Sequence, residues 1–419
     1  MKINEQKIIF LSFIFPIYLF LIWFIVGPFI SKIYISKSNK QVNEQAIYSA
    51  ISYDKRNATY PYFLGRYYHY YSEDPDNIKA IGFYIESLKH CPLQGGCWLD
   101  LAKAYRTAGM TAQAEYAINR AISIMPKNPV VMWEAGVLYL IAGDIEKSIR
   151  NFREFIVLRP DRQQDAYDMV WKIPLNSEYI LKNLIPAEYS YYKNYLLYLI
   201  SINRINETRD LWRTMNGLKI EDDIFIKYID FMILNHQYED AENIWNKYVH
   251  DRFKVSINDN TSILWNGSFE LDILNGGFDW KVSETKGVDV FLDRDIHISG
   301  RNSLGVTFDG TQNPDITIAS QIVRVNPGSN YLLTGFIKTN SITTTNGLFL
   351  SVQGHDCKGF NKNSDILTGT NFWKELNLEF NIPPECNAII VKIRRDRSHK
   401  FDNKISGSAW IDGISLTQR

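Results

Sequence analysis

The chain has no surplus of either charge, with 46 Lys and Arg against 46 Asp and Glu in 419 residues. Its overall composition therefore gives no electrostatic case for nucleic-acid binding. Low-complexity runs are absent, so no long disordered tail is expected. The sequence also lacks the motifs that announce common chemistries: there is no Walker loop, no G-x-G-x-x-G, no H-E-x-x-H and no G-x-S-x-G. The 7 histidines are scattered, and no two have the spacing of a metal site. Acidic pairs such as Asp222/Asp223 and Asp293/Asp295 occur, but adjacency in sequence does not identify a glycosidase pair. The expectation is a protein that is not an enzyme.

Cysteine is scarce. The 4 residues fall into two local pairs, Cys91 with Cys97 in CPLQGGC and Cys357 with Cys386. Both readings stay open, disulfides or buried thiols; paired positions suit an oxidising compartment, and C-x5-C is a poor zinc spacing. Charge is missing altogether from Ile8 to Ile30, IIFLSFIFPIYLFLIWFIVGPFI. At about 1.5 Å per residue such a helix crosses a hydrocarbon core of about 30 Å. The exit, VGPFISKIY, is unlike a cleavage site, so residues 1–40 read as an uncleaved transmembrane anchor. Lysines flank both ends (Lys2 and Lys7; Lys32, Lys37 and Lys40), so flanking charge does not set the orientation. Cysteine usage places the bulk of the chain outside the cytoplasm, behind a single span.

What is present in abundance is aromatic residue, 14%, which suits much surface to bury or a ligand to stack. The length predicts two or three domains. Residues 41–255 carry an internal repeat. Trp98, Leu101, Ala102, Tyr105, Gly109, Ala114, Ile118, Ala121 and Pro126 recur about 34 residues later as Met132, Ala135, Gly136, Tyr139, Gly143, Ser148, Phe152, Phe155 and Pro160. An earlier unit contains Leu64, Gly65, Tyr68, Ala80, Tyr84 and Pro92, and a later one Ala241, Trp245 and Tyr248; residues 163–220 between them are helical in pattern but degenerate in motif. This spacing resembles the tetratricopeptide-repeat family, which implies an α-solenoid of helix hairpins whose concave face binds a partner protein. By that geometry Lys103, Arg106 and Trp133 face the groove as partner-binding residues, or they pack against a neighbouring repeat.

Beyond residue 256 the texture changes to short alternating runs, among them VDVFLD, SLGVTF, YLLTGFIKT, AIIVKIRR and AWIDGISL. Turn markers such as Asn275-Gly276-Gly277, Asn326-Pro327-Gly328 and Pro383-Pro384 separate them. About nine strands without helical interruption predict a C-terminal antiparallel β-sandwich, a jelly roll, over 256–419. NGSFE at 266–270 is expected as its first strand. Five segments in order, NGSFE, GRNSLGVTF, VNPGSNYLLTGFIKT, FWKELNLEFNIP and AWIDGISL, resemble family-4/9/22-type carbohydrate-binding modules.

The resemblance implies a structural calcium joining the first and last strands, with Glu270 and Asp412 as its carboxylates; otherwise Glu270 is a surface residue and Asp412 a turn former. It also implies a polysaccharide ligand. Phe278 and Trp280 are the candidate stacking faces, with Asp279 and Asn313 as hydroxyl partners, the alternative being a core tryptophan at 280. Anchor, solenoid and sandwich in this order resemble bacterial envelope proteins associated with exopolysaccharide production. The arrangement implies a tethered scaffold in the bacterial inner membrane, holding a protein partner and contacting polysaccharide, without nucleic acid. A carbohydrate-active enzyme at the domain junction, or a sandwich that only caps the solenoid, are the alternatives.

Overall fold

The computed structural model describes residues 15–20, 26–34, 36, 44–254, 262–401 and 403–419. Among them no helix is long and apolar enough to cross a membrane. Much of the expected anchor, Ile8–Ile30, lies outside the described residues, which include only 15–20 and 26–30 of it. The chain forms two compact units that divide between Tyr198 and Leu199.

The first unit is helical. Its helices are α1 (Glu44–Tyr53), α2 (Thr59–Arg66), α3 (Asn77–His90), α4 (Gly95–Thr107), α5 (Thr111–Ile124), α6 (Pro129–Ile141), α7 (Ile145–Leu158), α8 (Gln163–Val170), α9 (Ser177–Asn183) and α10 (Tyr189–Ser201), the last running past the division. The repeat explains their pairing. Gly136 on α6 leaves room for the Phe152 ring of α7; a Cβ there would lie 2.7 Å from that ring. Gly65 makes the same allowance for Tyr84, at 2.5 Å. Gly109 and Gly143 end α4 and α6 at φ of +74° and +80°, a conformation that favours glycine after a helix. Asn128 and Asp144 cap α6 and α7, Asn128 accepting from the Val130 amide at 2.9 Å and Asp144 from the Lys147 amide at 3.0 Å. The two clear repeats are therefore α4–α5 and α6–α7.

The second unit joins the last helices, α11 (Ile205–Thr214), α12 (Asp222–Leu234) and α13 (Tyr238–Phe253), to the sandwich. The expected boundary at 255/256 falls among residues 255–261, outside the described residues. Ten strands follow: β1 (Lys281–Val282), β2 (Val288–Asp293), β3 (Ser303–Asp309), β4 (Ile316–Arg324), β5 (Asn330–Ile342), β6 (Phe349–Gly354), β7 (Asn361–Asn363), β8 (Gly369–Asn381), β9 (Ala388–Arg395) and β10 (Ser406–Gln418). They make two five-stranded sheets, in the orders β1-β4-β9-β6-β7 and β2-β3-β10-β5-β8. Every pairing between them is antiparallel. Period-2 alternation puts Ile389, Val391 and Ile393 of β9 and Leu304, Val306 and Phe308 of β3 into one core. The disulfide Cys357–Cys386 ties the loop after β6 to the turn before β9, whereas Cys91 and Cys97 are free.

Residues 266–270 are not a strand. Asn266 and Phe269 have φ of +49° and +55°, which turns the chain. The Asn266 side chain holds that turn by accepting from the Leu271 amide at 3.1 Å and donating to its carbonyl at 2.9 Å. The next turn, Gly276-Gly277, lies flat on the helices. The Gly277 amide donates to Asp230 Oδ1 at 2.9 Å, and Lys281 Nζ reaches the same carboxylate at 3.1 Å. Phe278 meets the buried Trp245 edge to face at 6.1 Å. Arg324 of β4 pairs with Glu242 of α13 at 2.8 Å.

Gly277, at φ of +60°, has no space for a side chain: a Cβ would stand 2.7 Å from Trp245 Cζ3. Gly359 has a similar φ of +80° but open space around it. Gly359→Ala should therefore cost only backbone strain, about 1–2 kcal/mol, while Gly277→Ala adds overlap and should cost roughly 3–5 kcal/mol. Urea unfolding of the two variants of the full chain measures this; equal losses would mean that the turn does not rest on Trp245.

Candidate functional site

Three of the four residues expected to meet a sugar, Phe278, Asp279 and Trp280, are buried instead. Trp280 is fully buried, packed on Phe269 at 5.4 Å, and its indole N–H donates to the Asn266 carbonyl at 3.1 Å. Phe278 is buried beneath α13, and Asp279 is 0% exposed. The Asn313 side chain is spent on its own neighbourhood: Oδ1 accepts from Arg395 Nη1 at 2.8 Å and the Ser398 amide at 3.0 Å, while Nδ2 donates to the Ser398 carbonyl at 2.8 Å. None of the four presents a face or a free polar group to a ligand, and Asn313 is not brought together with the others. Helical cover over the Gly-Gly turn buries Phe278 against Trp245, and the core of the sandwich itself takes up Trp280.

Asp279 carries a cost for this. One carboxylate oxygen accepts from the Leu274 amide at 2.6 Å, the other has no hydrogen-bond partner, and burial pushes the carboxyl up to about 6.

Glu270 and Asp412 do converge, on the loop 298–302 from its two ends. Buried Asp412 accepts from the Ile298 and Ser299 amides at 2.9 and 3.0 Å and from Gly413 at 2.6 Å. Glu270 accepts from the Arg301 and Asn302 amides at 2.7 and 3.0 Å. Gly300 at φ of +65° passes between them; a Cβ there would lie 2.2 Å from Glu270 Oε1. Burial, and then the Glu270 charge, hold the Asp412 carboxyl above the usual carboxylate range. Among the described residues neither carboxylate has an ion-pair partner. Two carboxylates without a cation partner that meet on the loop 298–302 fit calcium in donor chemistry, although six to eight oxygens are needed and amides now hold several of these.

In the helical unit, Lys103 and Arg106 converge on Glu134 at 2.9 and 3.5 Å. Trp133 packs between Phe152 and Phe155, at 5.4 and 5.1 Å, inside its own repeat. A neighbouring cluster was not anticipated. Tyr62 and Tyr70 donate to Asp100 at 2.9 and 3.2 Å, and the Arg66 guanidinium lies 5.9 and 6.0 Å from their ring centres. A π-helical turn at Tyr67–Tyr71 carries Tyr70 there; the aromatic run YYHYY was its only signal. Burial lowers His69 and pushes the Cys97 thiol up to about 12.

The sandwich has a polar groove that sequence reasoning missed. It is a cavity of about 140 Å³ on the outer face of β6, β7 and β9, lined by Ser351, Gln353, Asn361, Asn363, Lys392 and Arg394 with Phe349 and Asp396. Register places them side by side: Ser351 opposes Lys392 and Asn363, and Gln353 opposes Asn361. Lys392 bonds Gln353, and Ser351 bonds Asn361 at 3.3 Å. Arg394 pairs with Asp315 at 2.5 Å and Asp396 at 3.0 Å. Burial, with Arg394 alongside, lowers the Lys392 ammonium. Alternating polar positions on β6 and β9 were the available signal, but β7 is only three residues long.

No family model matches the chain. A stretch of 163 residues, 37% of the chain, is 27% identical to the tRNA(Glu)-specific nuclease WapA of Bacillus subtilis subsp. natto and spans 7% of its length. Another match, 30% identical over 131 residues, covers 31% of the chain and 20% of the Translocon at the outer membrane of chloroplasts 64 of Pisum sativum. Solved structures that it resembles in part include TmCBM61 in complex with beta-1,4-galactotriose, with TM-score 0.27 and 18% identity over 38% of this chain and 99% of that one. They also include the first TPR of Spaghetti (RPAP3) bound to an HSP90 peptide, with TM-score 0.25 and 16% identity over 28% of this chain and 96% of that one.

Asp279 generates a pH dependence whose sign is fixed. Its carboxyl titrates near about 6 when folded against 3.8 otherwise, so the folded state holds the extra proton and stability falls as pH rises through that window. The stability of Asp279→Asn relative to the native chain should therefore improve by roughly 2–3 kcal/mol between about pH 4 and pH 7. Urea titrations at both pH values test it, and a difference that does not change with pH contradicts the assignment.

Proposed function

We propose that the chain is a membrane-anchored envelope scaffold without catalytic activity. The solenoid holds a partner protein, and the sandwich contacts polysaccharide, in exopolysaccharide assembly or export at the bacterial inner membrane with the soluble part periplasmic. The observation that carries the reading is the groove on β6, β7 and β9. Its lining supplies hydroxyl, amide, ammonium and guanidinium groups in fixed register, the groups that orient a sugar by its hydroxyls. The protein partner is assigned to the face carrying Lys103 and Arg106, next to the Arg66 and Asp100 cluster. Any transfer of nuclease or translocon activity from the relatives is set aside, because the chain spans 7% and 20% of those proteins.

A second reading, a sandwich that caps the helices, is favoured by the seam of Asp230, Trp245, Gly277 and Lys281. The two are compatible, since the seam and the groove use different residues.

A glycan array probed with the full chain in detergent should register polysaccharide. Lys392→Met and Asn361→Ala should weaken the binding about tenfold or more, roughly 1.4 kcal/mol, at an unchanged thermal midpoint. Absence of any bound polysaccharide, with or without calcium, removes the sugar-binding part of the proposal.

Calcium at Glu270 and Asp412 belongs to the same proposal. At a hundredfold excess over Kd it should raise the midpoint by roughly 5–10 °C, and Glu270→Gln should abolish the rise. An identical rise in that variant would place the ion elsewhere.

A further inference from the structure

A larger cavity lies away from the groove. About 700 Å³ opens among α11, the loop 215–220, α12 and α13, all within the second unit. That volume falls in the usual range for small-ligand sites, about 300–1,000 Å³. Its wall is two stacked aromatic pairs, Trp212 on Tyr228 at 4.0 Å and Phe225 on Tyr248 at 3.6 Å, with interplanar angles of 5° and 12°. Pairs held face to face make a rigid apolar surface that loses little entropy when a ring is laid against it.

The polar lining is mixed in sign. Arg209, Arg213 and Lys247 supply cations, against Asp240 and Asp251. Arg209 is neutralised by Asp240 at 2.8 Å, and Arg213 reaches Asp210 at 3.2 Å. Lys247 has only the Asn216 carbonyl at 3.5 Å, so its charge is uncompensated among the described residues, as is that of Asp251. The Tyr228 ring that backs Trp212 is itself fully buried, which holds the stacked wall in place.

We infer that this cavity is a second carbohydrate site, for a sugar bearing a carboxylate. A simple anion would find no use for the carboxylate of Asp251 and would be repelled by it, whereas sugar hydroxyls can donate to Asp251 and to the Asn216 and Asn243 carbonyls. The acidic substituent meets Lys247 and Arg213 at the rim. The ring stacks on the Trp212 side of the wall. The site stands apart from the groove on β6, β7 and β9 and does not depend on it.

The test is isothermal titration of the full chain in detergent with trigalacturonate, trigalactose and pentaglutamate. Trigalacturonate should bind saturably, and trigalactose about tenfold more weakly. Lys247→Met, a surface change, and Trp212→Ala should each weaken trigalacturonate about tenfold, whereas Lys392→Met in the groove should leave it unchanged. Thermal midpoints identify any variant that has lost its fold, and Lys247→Met then decides alone. No saturable binding, equal binding of trigalactose, or equal binding of pentaglutamate each overturns the inference. Loss in Lys392→Met but not in Lys247→Met overturns it too, while leaving the groove reading intact.

Discussion

The second unit depends on one close approach, the backbone of Gly276-Gly277 laid against α12 and α13. Side chains are excluded on both residues, by Ile226 at Gly276 and by Trp245 at Gly277. Asp230 then binds the Gly277 amide and the Lys281 ammonium together, which fixes the direction in which the chain leaves the turn. Upstream, the Ile263 amide donates to Leu416, and the Ile414 amide donates to Gly267, so the entry loop is stitched to β10. Downstream, Lys281 and Val282 pair with β4. The turn thus determines which sheet each flank joins, and it forces Trp280 inward between them.

The same contact divides the outer face of the first sheet. Cross-strand register aligns Ile322, Ile390 and Gln353 in one row and Ser320, Lys392 and Ser351 in the next. Directly opposed residues share a face. Ile322 and Arg324 at the β4 side line the crevice with α13, while Ser351, Gln353 and Lys392 at the β6 side stay in the polar groove. A face that would otherwise be open across its width is therefore half covered by helix and half open as the polar groove.

Much of this was legible. VDVFLD at 288–293 and AIIVKIRR at 388–395 match β2 and β9 residue for residue: alternate residues of β9 are buried, and Val288 and Val290 of β2 pack against the core while Asp289 and Phe291 between them are exposed. The helix hairpins were legible for a related reason: Gly136 and Phe152 are a small–large pair dictated by local packing. The turn at 266–270 was not, since its positive φ values rest on a side-chain bond from Asn266 to Leu271 that alternation does not encode. Nor was the fate of Phe278 and Trp280. Exposure of an aromatic is decided by what covers it, and Trp245 lies 33 residues upstream of Phe278 on a different element. Glu270 and Asp412 were brought onto one loop as their positions suggested, although the amides that fill their oxygens had no sequence signal.

Buried charge shows how differently one core treats its polar groups. Arg395 is fully buried yet donates to Asn313, Pro314, Asn346 and Asn403, so three loops at one end of the sandwich are ordered around a single guanidinium. Asp412 is equally buried and is compensated by three amides. Asp279 has the weakest compensation, one side-chain oxygen without a partner, and it sits beside the turn on which the helical seam depends. An unsatisfied group persists where the surrounding packing leaves no alternative conformation, and here that packing is the Gly-Gly turn held under Trp245. The cost at Asp279 and the closeness at Gly277 are therefore two consequences of one geometry: the helices can cover the sandwich edge only if a bare backbone and a buried carboxyl accept the same narrow space.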